Sequence, residues 1–93
     1  MRLAQAEQLA ISDTIKKVDI DAAIYLFGSR VDDTAKGGDI DLLVLSKKID
    51  IMAKLDILAQ LHHKLGARKI DIALYPDASS PFSRMAMQAG VPL

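Results

Sequence analysis

The sequence contains no cysteine and no tryptophan, and aromatic residues make up only 4% of its 93 positions. The lack of cysteine excludes disulfide bonds, thiolate metal sites and thiol nucleophiles, and it is consistent with a reducing compartment. No stretch approaches the roughly 20 consecutive apolar residues that cross a bilayer. Glu7 and Asp13 interrupt the N-terminal segment, where a signal peptide needs an unbroken apolar run. We therefore expect a cytoplasmic protein that does not bind a membrane.

The sequence also lacks an excess of either charge, because twelve basic and twelve acidic side chains cancel. Direct nucleic-acid binding is not expected, since proteins that bind polynucleotides usually carry a basic excess. At 51% hydrophobic residues the chain can form a core, and its length suits one small domain over residues 1–93. A domain of this size leaves ~35% or more of its unfolded surface exposed, so a partner surface is plausible.

Apolar residues at helical spacing predict three helices. The first lies between Leu3 and Val18, where Ile11, Ile15 and Val18 recur on one side. The last begins at Ser80-Pro81, an N-cap followed by proline at the first helical position, and ends near Gly90. Its apolar positions are Phe82, Met85, Ala86 and Ala89.

The second helix is the most strongly indicated. Asp50 is a good N-cap, the apolar pattern continues to Leu65, and Gly66 is placed to end the helix. The pattern predicts a core-facing stripe made of Ile51, Leu55, Leu58, His62 and Leu65. On this interpretation His62 packs in the stripe and His63 lies at the surface, and the two cannot share a metal ion. Met52, Met85 and Met87 are interpreted as core residues.

Three short segments with apolar or alternating patterns predict strands: residues 22–27, 39–45 and 68–75. Together with the helices they give the order helix, strand, strand, helix, strand, helix. This order predicts an α+β (α/β mixed) fold, with a small mixed β-sheet covered by helices. The helix between the second and third strands permits a crossover connection.

Gly28 and Ser29 follow the first strand at the point where its apolar run ends. Glycine lets the backbone turn tightly and approach a ligand, and the serine hydroxyl and the following amides can donate to phosphate oxygens. The pair is therefore a candidate site for a triphosphate.

Asp39 and Asp41 lie two residues apart on the second strand, so both carboxylates project from one face. Such a pair repels itself unless a cation lies between, and hard oxygen ligands suit Mg²⁺. Asp71, the acid inside the third strand pattern, would complete a site for two metal ions. Each motif alone is more often a solvated turn or strand end. Their combination, in this order, favours a functional site.

These segments, LFGSR, GGDIDLLV and KIDIAL with the terminal AMQAGVPL, resemble the minimal nucleotidyltransferase (MNT) family of the DNA polymerase β superfamily, in particular its MntA-like antitoxin type. The resemblance covers most of the chain and implies a polymerase β palm-like nucleotidyltransferase fold. It implies that Gly28 and Ser29 hold the nucleotide and that Asp39, Asp41 and Asp71 bind two Mg²⁺ ions and carry catalysis. Arg30 matches the family's arginine, and it either meets a phosphate or pairs with a neighbouring aspartate.

The implied reaction is Mg²⁺-dependent transfer of AMP from ATP to a hydroxyl group. Because 93 residues leave little room for an acceptor-binding lobe, we expect a separate partner to present that hydroxyl. Relatives of this kind act as antitoxins of toxin–antitoxin systems by AMPylation of a HEPN-type toxin. One alternative is a nucleotide-binding antitoxin or regulatory module that acts by binding its partner without catalysis. Another is a structural domain whose aspartates have no function.

Overall fold

The structure is a computed structural model that describes residues 4–27, 40–66 and 69–93. The described residues form three helices and four strands in the predicted order, with one short strand added at the C-terminus. The elements are α1 (Gln5–Lys16), β1 (Ala23–Phe27), β2 (Ile40–Leu45), α2 (Ile51–Leu65), β3 (Ile70–Tyr75), α3 (Pro81–Ala89) and β4 (Val91–Pro92). The expected α+β architecture with a small mixed sheet is therefore confirmed.

The helix ends follow the local signals in the sequence. Asp50 caps α2 by accepting a hydrogen bond from the Ala53 amide at 2.8 Å, and Gly66 ends this helix with a φ of 83°. Ser80 caps α3 by accepting from the Ser83 amide at 3.1 Å. Within the described residues, no helix combines the length and apolar composition that a membrane span requires.

The first helix is shorter than the sequence pattern predicts. It ends at Lys16, and the predicted stripe residue Val18 lies beyond it and is 39% exposed. The Val18 amide instead donates to the Ile15 carbonyl in a turn that leads toward β1. Ile11 and Ile15 are fully buried as predicted.

The four strands form one mixed sheet in the order β3-β2-β1-β4. β1 pairs antiparallel with β2 and with β4, whereas β2 and β3 run parallel and are joined through α2. The connection through α2 is the predicted crossover. Two parallel neighbouring strands need a connection long enough to bring the chain back to the end of the sheet at which the first of them begins.

One face of the sheet forms the main core. Residues at alternate positions of β1, β2 and β3 pack there with buried side chains of α1 and α2. The members include Ile11, Ile15, Ile24, Leu26, Ile40, Leu42, Val44, Ile57, Leu61, Ile70 and Ile72. Because these positions point toward α1 and α2, the intervening residues of each strand lie on the opposite face.

The predicted stripe of α2 is largely wrong. The residues of this helix that are buried are Ile57 and Leu61, while Leu58 and Leu65 pack only partly against the core. Ile51, Leu55 and His62 are exposed. The predicted stripe shares Leu58 and Leu65 with the side that packs on the sheet, but it is rotated around the helix away from Ile57 and Leu61.

Helix α3 packs on the second face of the sheet, against β1 and β2. The Phe82 ring contacts the rings of Phe27 and Tyr75, at centroid distances of 5.8 and 5.7 Å. Leu43 is fully buried on this face and Ala86 is almost so. Met85, expected in the core, is exposed, as is Met52 on α2.

The short strand β4 was not predicted from the sequence. It brings Val91 beside Leu26 in the sheet, directly after Gly90, the C-cap of α3. A Cβ atom at position 90 would lie 2.7 Å from the Ala86 carbonyl oxygen and 2.9 Å from that of Leu26. Glycine is required here because the backbone of this turn lies directly against β1.

Candidate functional site

Two of the three predicted carboxylates lie side by side in the sheet. Asp41 of β2 and Asp71 of β3 are Cα partners in adjacent parallel strands, which places the two backbones about 4.8 Å apart. Their chain neighbours are buried against the helices: Ile40 and Leu42 in β2, Ile70 and Ile72 in β3. Both carboxylates therefore project from the opposite face of the sheet, near the ends at which β2 and β3 begin.

The surroundings of these carboxylates are partly open to solvent. Asp41 is half-buried, and the Asp71 side chain is 57% exposed. The Lys69 ammonium lies 4.0 Å from the Asp71 carboxylate, but the pair is exposed and contributes little stabilisation. Two neighbouring carboxylates are a donor set of hard oxygens, which is the kind that divalent cations such as Mg²⁺ prefer. The donor set that the described residues supply therefore fits a divalent metal.

The last residue of β1 lies at the same end of the sheet as Asp41 and Asp71. Phe27, the last residue of β1, is the Cα partner of Asp41 across the antiparallel pair. One row across the sheet thus contains Phe27, Asp41 and Asp71. Gly28 follows Phe27 directly in the sequence, so the chain enters the predicted nucleotide-binding segment beside the two carboxylates.

The other predicted site residues lie outside the described part of the chain. These are Gly28, Ser29 and Arg30, expected to hold the nucleotide, and Asp39, expected to be a metal ligand. Within residues 4–27, 40–66 and 69–93, no group of three or more histidine or acidic side chains is close enough to hold a metal ion. The predicted set of three includes Asp39, so these ranges contain only two of its members.

A comparison with protein families assigns the chain to a known family. Residues 10–93 match the family described as polymerase beta, nucleotidyltransferase. The chain belongs to this nucleotidyltransferase family. The match supports nucleotidyl transfer as the general activity, and enzymes with such domains generally use a nucleoside triphosphate and a divalent metal. A search of curated protein sequences found no significant match.

The nucleotidyltransferase also has an aromatic cluster that the sequence pattern did not indicate. Phe27 projects from the same face as Asp41, and Phe82 of α3 packs edge-on against its ring, with an interplanar angle of 78°. In the sequence Phe82 is one apolar position of the third predicted helix. No pattern in the sequence indicates that this helix crosses the face that carries the carboxylates.

A second polar cluster lies at the opposite end of the sheet. Asp19 is buried and accepts hydrogen bonds from the Ser46 hydroxyl at 2.6 Å and from the Asp21 amide at 3.0 Å. The Ser46 hydroxyl, and to a smaller extent the Asp21 amide and the charge of Lys48, hold the pKa of Asp19 below its usual range despite burial. This cluster connects the turn before β1 to the turn after β2.

The same end of the sheet carries an open cleft of about 480 Å³, lined in part by Asp19, Lys47, Lys48 and Asp77. Hydrogen bonds from Ser79, together with the charge of Lys47, lower the pKa of Asp77. Each lysine therefore has a carboxylate nearby, and with Asp21 the lining contains three carboxylates and two lysines. The cleft lies where β2 and β3 end, away from Asp41 and Asp71, so we assign it no part in the nucleotidyltransferase site.

Proposed function

We propose that the protein is a Mg²⁺-dependent cytoplasmic nucleotidyltransferase that transfers AMP from ATP to a hydroxyl group of a partner protein. The observation that carries the proposal is the register pairing of Asp41 with Asp71 in a chain of the nucleotidyltransferase family. A carboxylate pair on one sheet face, beside a strand that leads into Gly-Ser, suits the binding of a metal–triphosphate complex.

The proposal gives one role to the residues that follow β1 in the sequence and another role to the three aspartates. Gly28, Ser29 and Arg30 would hold the phosphates of ATP. Asp39, Asp41 and Asp71 would hold two Mg²⁺ ions, which when bound neutralise negative charge on the triphosphate. Asp71 would also orient the acceptor hydroxyl, because it lies on the outer of the two strands and is the more exposed carboxylate.

The proposed reaction is an in-line displacement. The oxygen of the acceptor hydroxyl forms a bond to the α-phosphorus, and the bond from that phosphorus to the bridging oxygen breaks. Pyrophosphate leaves with the electron pair of the broken bond, and the hydroxyl proton passes to solvent. The protein contributes mainly the positioning of the reactants and the stabilisation of charge.

The proposal includes the kind of protein that supplies the acceptor hydroxyl. We propose an antitoxin role, in which the acceptor is a residue of a HEPN-type toxin and AMPylation inactivates it. The support is the resemblance to the minimal nucleotidyltransferases together with the family match over residues 10–93.

The test uses a HEPN-type toxin co-expressed with this chain. Purified toxin is incubated with the chain, ATP and Mg²⁺, and its intact mass is measured. We expect the toxin mass to increase by whole AMP units and its ribonuclease activity to fall. With Asp41→Asn the mass should not change. If that variant still neutralises the toxin without added mass, neutralisation is by binding and the proposed inactivation by AMPylation is wrong. No gain in toxin mass with the unchanged chain would disprove the transfer itself.

A further inference from the structure

We propose that the base of the nucleotide substrate stacks on the ring of Phe82, and that this stacking makes the site select purine over pyrimidine nucleotides. The inference rests on the proposed function, because it takes a nucleotide bound at Asp41 and Asp71 as given. It deepens that function by naming the residue that receives the base and the class of base that this residue favours.

Two other aromatic rings hold the Phe82 ring in its position. It packs edge-on against Phe27 at a centroid distance of 5.8 Å and lies 5.7 Å from the Tyr75 ring. Phe27 belongs to the row of the sheet that contains Asp41, whereas Tyr75 is the Cα partner of Leu45, four residues further along β2. A ring that contacts both therefore lies over the middle of this face, beside the row of carboxylates.

The distance between this ring and the carboxylates suits a nucleotide. Ala73 follows Asp71 by two residues on the same face of β3, so it lies about 6–7 Å along the strand. In a nucleotide, a ribose separates the α-phosphate from the base by a gap of this order. A nucleotide with its α-phosphate at Asp41 and Asp71 therefore brings its base to the middle of the face, where the Phe82 ring lies.

The Phe82 ring is accessible to a ligand despite its two aromatic contacts, since Phe82 is 37% exposed. Helix α3 packs against β1 and β2, and Leu43 of β2 is fully buried on this face. Ala73, the Cα partner of Leu43 in β3, is only half-buried. The open space therefore lies above β3, where the small side chain of Ala73 leaves room beside Asp71.

The apolar side of α3 continues beyond Phe82. Met85 lies three residues later on the same side of the helix and is 59% exposed. A methionine side chain is flexible and polarisable, so it adapts to the edge of a flat ring. An apolar ring surface beside a pair of carboxylates that fits a metal ion matches the two halves of one ligand. These halves are the flat base of a nucleotide and its metal-binding polyphosphate.

Stacking accounts for the selection of purines. Every base has a π-face, so contact with an aromatic ring tolerates any base, and preferences follow from the strength of stacking. The two fused rings of a purine cover more of the Phe82 ring than the single ring of a pyrimidine does. We expect ATP and GTP to bind similarly at this subsite and UTP to bind more weakly, because the Phe82 ring has no group that reads the edge of a base.

The first test measures nucleotide binding in the presence of Mg²⁺ by calorimetry, with inorganic tripolyphosphate as the ligand that lacks a base. We expect ATP to bind more tightly than UTP. Phe82→Leu should weaken ATP binding roughly tenfold and leave tripolyphosphate binding unchanged. Met52→Ala, which shortens an exposed apolar side chain on α2, is the matched control and should weaken neither. Equal weakening of ATP and tripolyphosphate in Phe82→Leu, or equal binding of ATP and UTP, would overturn the proposal.

A second variant reports stacking directly. The protein has no tryptophan, so Phe82→Trp introduces a single indole fluorophore at the subsite. ATP and GTP should quench its fluorescence more than UTP does, and tripolyphosphate should not quench it. Saturation with ATP without quenching, or equal quenching by tripolyphosphate, would contradict the stacking, and this result does not depend on the stability of Phe82→Leu.

The base subsite and the nucleotidyltransferase activity fail separately. Asp41→Asn/Asp71→Asn should lose the binding of both ATP and tripolyphosphate, because it removes two of the proposed metal ligands. A chain that transfers AMP with the same KM for ATP in Phe82→Leu would disprove only the base subsite. A chain that binds ATP with the expected dependence on Phe82 but transfers nothing would disprove only the proposed reaction. The absence of ATP binding would overturn both.

Discussion

Asp41 of β2 and Asp71 of β3 are Cα partners in two parallel strands, and their carboxylates project from the same face of the sheet. The pairing depends on the crossover through α2, which returns the chain to the end of the sheet at which β2 begins. The register therefore brings together two of the three aspartates that the sequence motifs predict as metal ligands.

Removing one of these carboxylates should abolish stabilisation by metal and nucleotide. We expect Mg²⁺ with ATP to raise the Tm of the unchanged protein, because a ligand that binds the folded state stabilises it. Asp41→Asn and Asp71→Asn should lose this increase. Without Mg²⁺ each variant should unfold at a Tm close to that of the unchanged protein, because neither side chain belongs to the buried core. Thermal unfolding with and without Mg²⁺ and ATP measures both effects.

The control for this experiment is Asp56→Asn, which removes an exposed carboxylate of α2 outside the predicted site. It should keep the full increase in Tm. A Mg²⁺-dependent increase that survives in both Asp41→Asn and Asp71→Asn would show that the metal binds elsewhere.

Two substitutions on α2 should separate its buried side from its exposed side. Ile57→Ala removes a buried side chain and should lower the free energy of unfolding by about 2–5 kcal/mol. Leu55→Ala changes an exposed side chain and should alter it by about 0.5 kcal/mol or less. Urea unfolding of the two variants gives both values. Equal losses would mean that α2 faces the sheet in a different orientation.

Gly90 should resist substitution for a steric reason that does not apply to Gly66. Gly90→Ala should cost about 1–3 kcal/mol, because its Cβ would meet the carbonyl oxygens of Ala86 and Leu26. At Gly66 no described atom lies within 4 Å of a Cβ, but the φ of 83° with a ψ of −161° is a backbone conformation essentially restricted to glycine, so Gly66→Ala should cost about 1–3 kcal/mol.

Asparagine should rescue neither position. The positive φ that asparagine tolerates is that of the left-handed helical region, and the ψ of −161° places Gly66 outside that region. Gly66→Asn should therefore be about as destabilised as Gly66→Ala. Gly90→Asn should be no better than Gly90→Ala. Chemical unfolding of the four variants checks this, and recovery at position 90 would contradict the steric explanation.

The Asp19–Ser46 hydrogen bond should make the stability of the protein depend on acid pH. Because folding lowers the pKa of Asp19, the unfolded chain binds a proton more readily than the folded one. The stabilisation is therefore present above about pH 4, near the ordinary pKa of an aspartate, and is lost as pH falls through the lower pKa of the folded state. Asp19→Asn should be less stable near neutral pH and should lose less stability on acidification.

Unfolding by urea near neutral pH and below about pH 4 measures this difference. Ser46→Ala, which removes the donor, should also flatten the dependence on pH. If Asp19→Asn and the unchanged protein lose stability in parallel, the buried carboxylate does not account for acid sensitivity.

The ends of the helices and the central parts of the strands could be predicted from the sequence because local chemistry determines them. Asp50, Ser80 and Gly66 act at their own positions through caps and positive φ. The aspartate pattern also predicted that Asp41 and Asp71 belong to one site, and the register confirms that they are neighbours.

The orientation of α2 and the existence of β4 could not be predicted in this way. Helix α2 has apolar residues on both sides, and only packing against the sheet decides that Ile57 rather than Leu55 is buried. The two-residue strand at Val91 is too short to give a periodic signal, and it forms because Gly90 lets the chain turn against β1. Long-range contacts determine both features.

The most direct measurement of the central claim is intact-protein mass spectrometry of a protein that co-purifies with this chain, before and after incubation with ATP and Mg²⁺. We predict that the partner gains mass in whole AMP units. We also predict no gain with Asp41→Asn/Asp71→Asn, although this variant should still bind the partner. An equal gain in mass with that variant, or a stable complex with no added mass for the unchanged protein, would contradict the claim that these carboxylates carry nucleotidyl transfer.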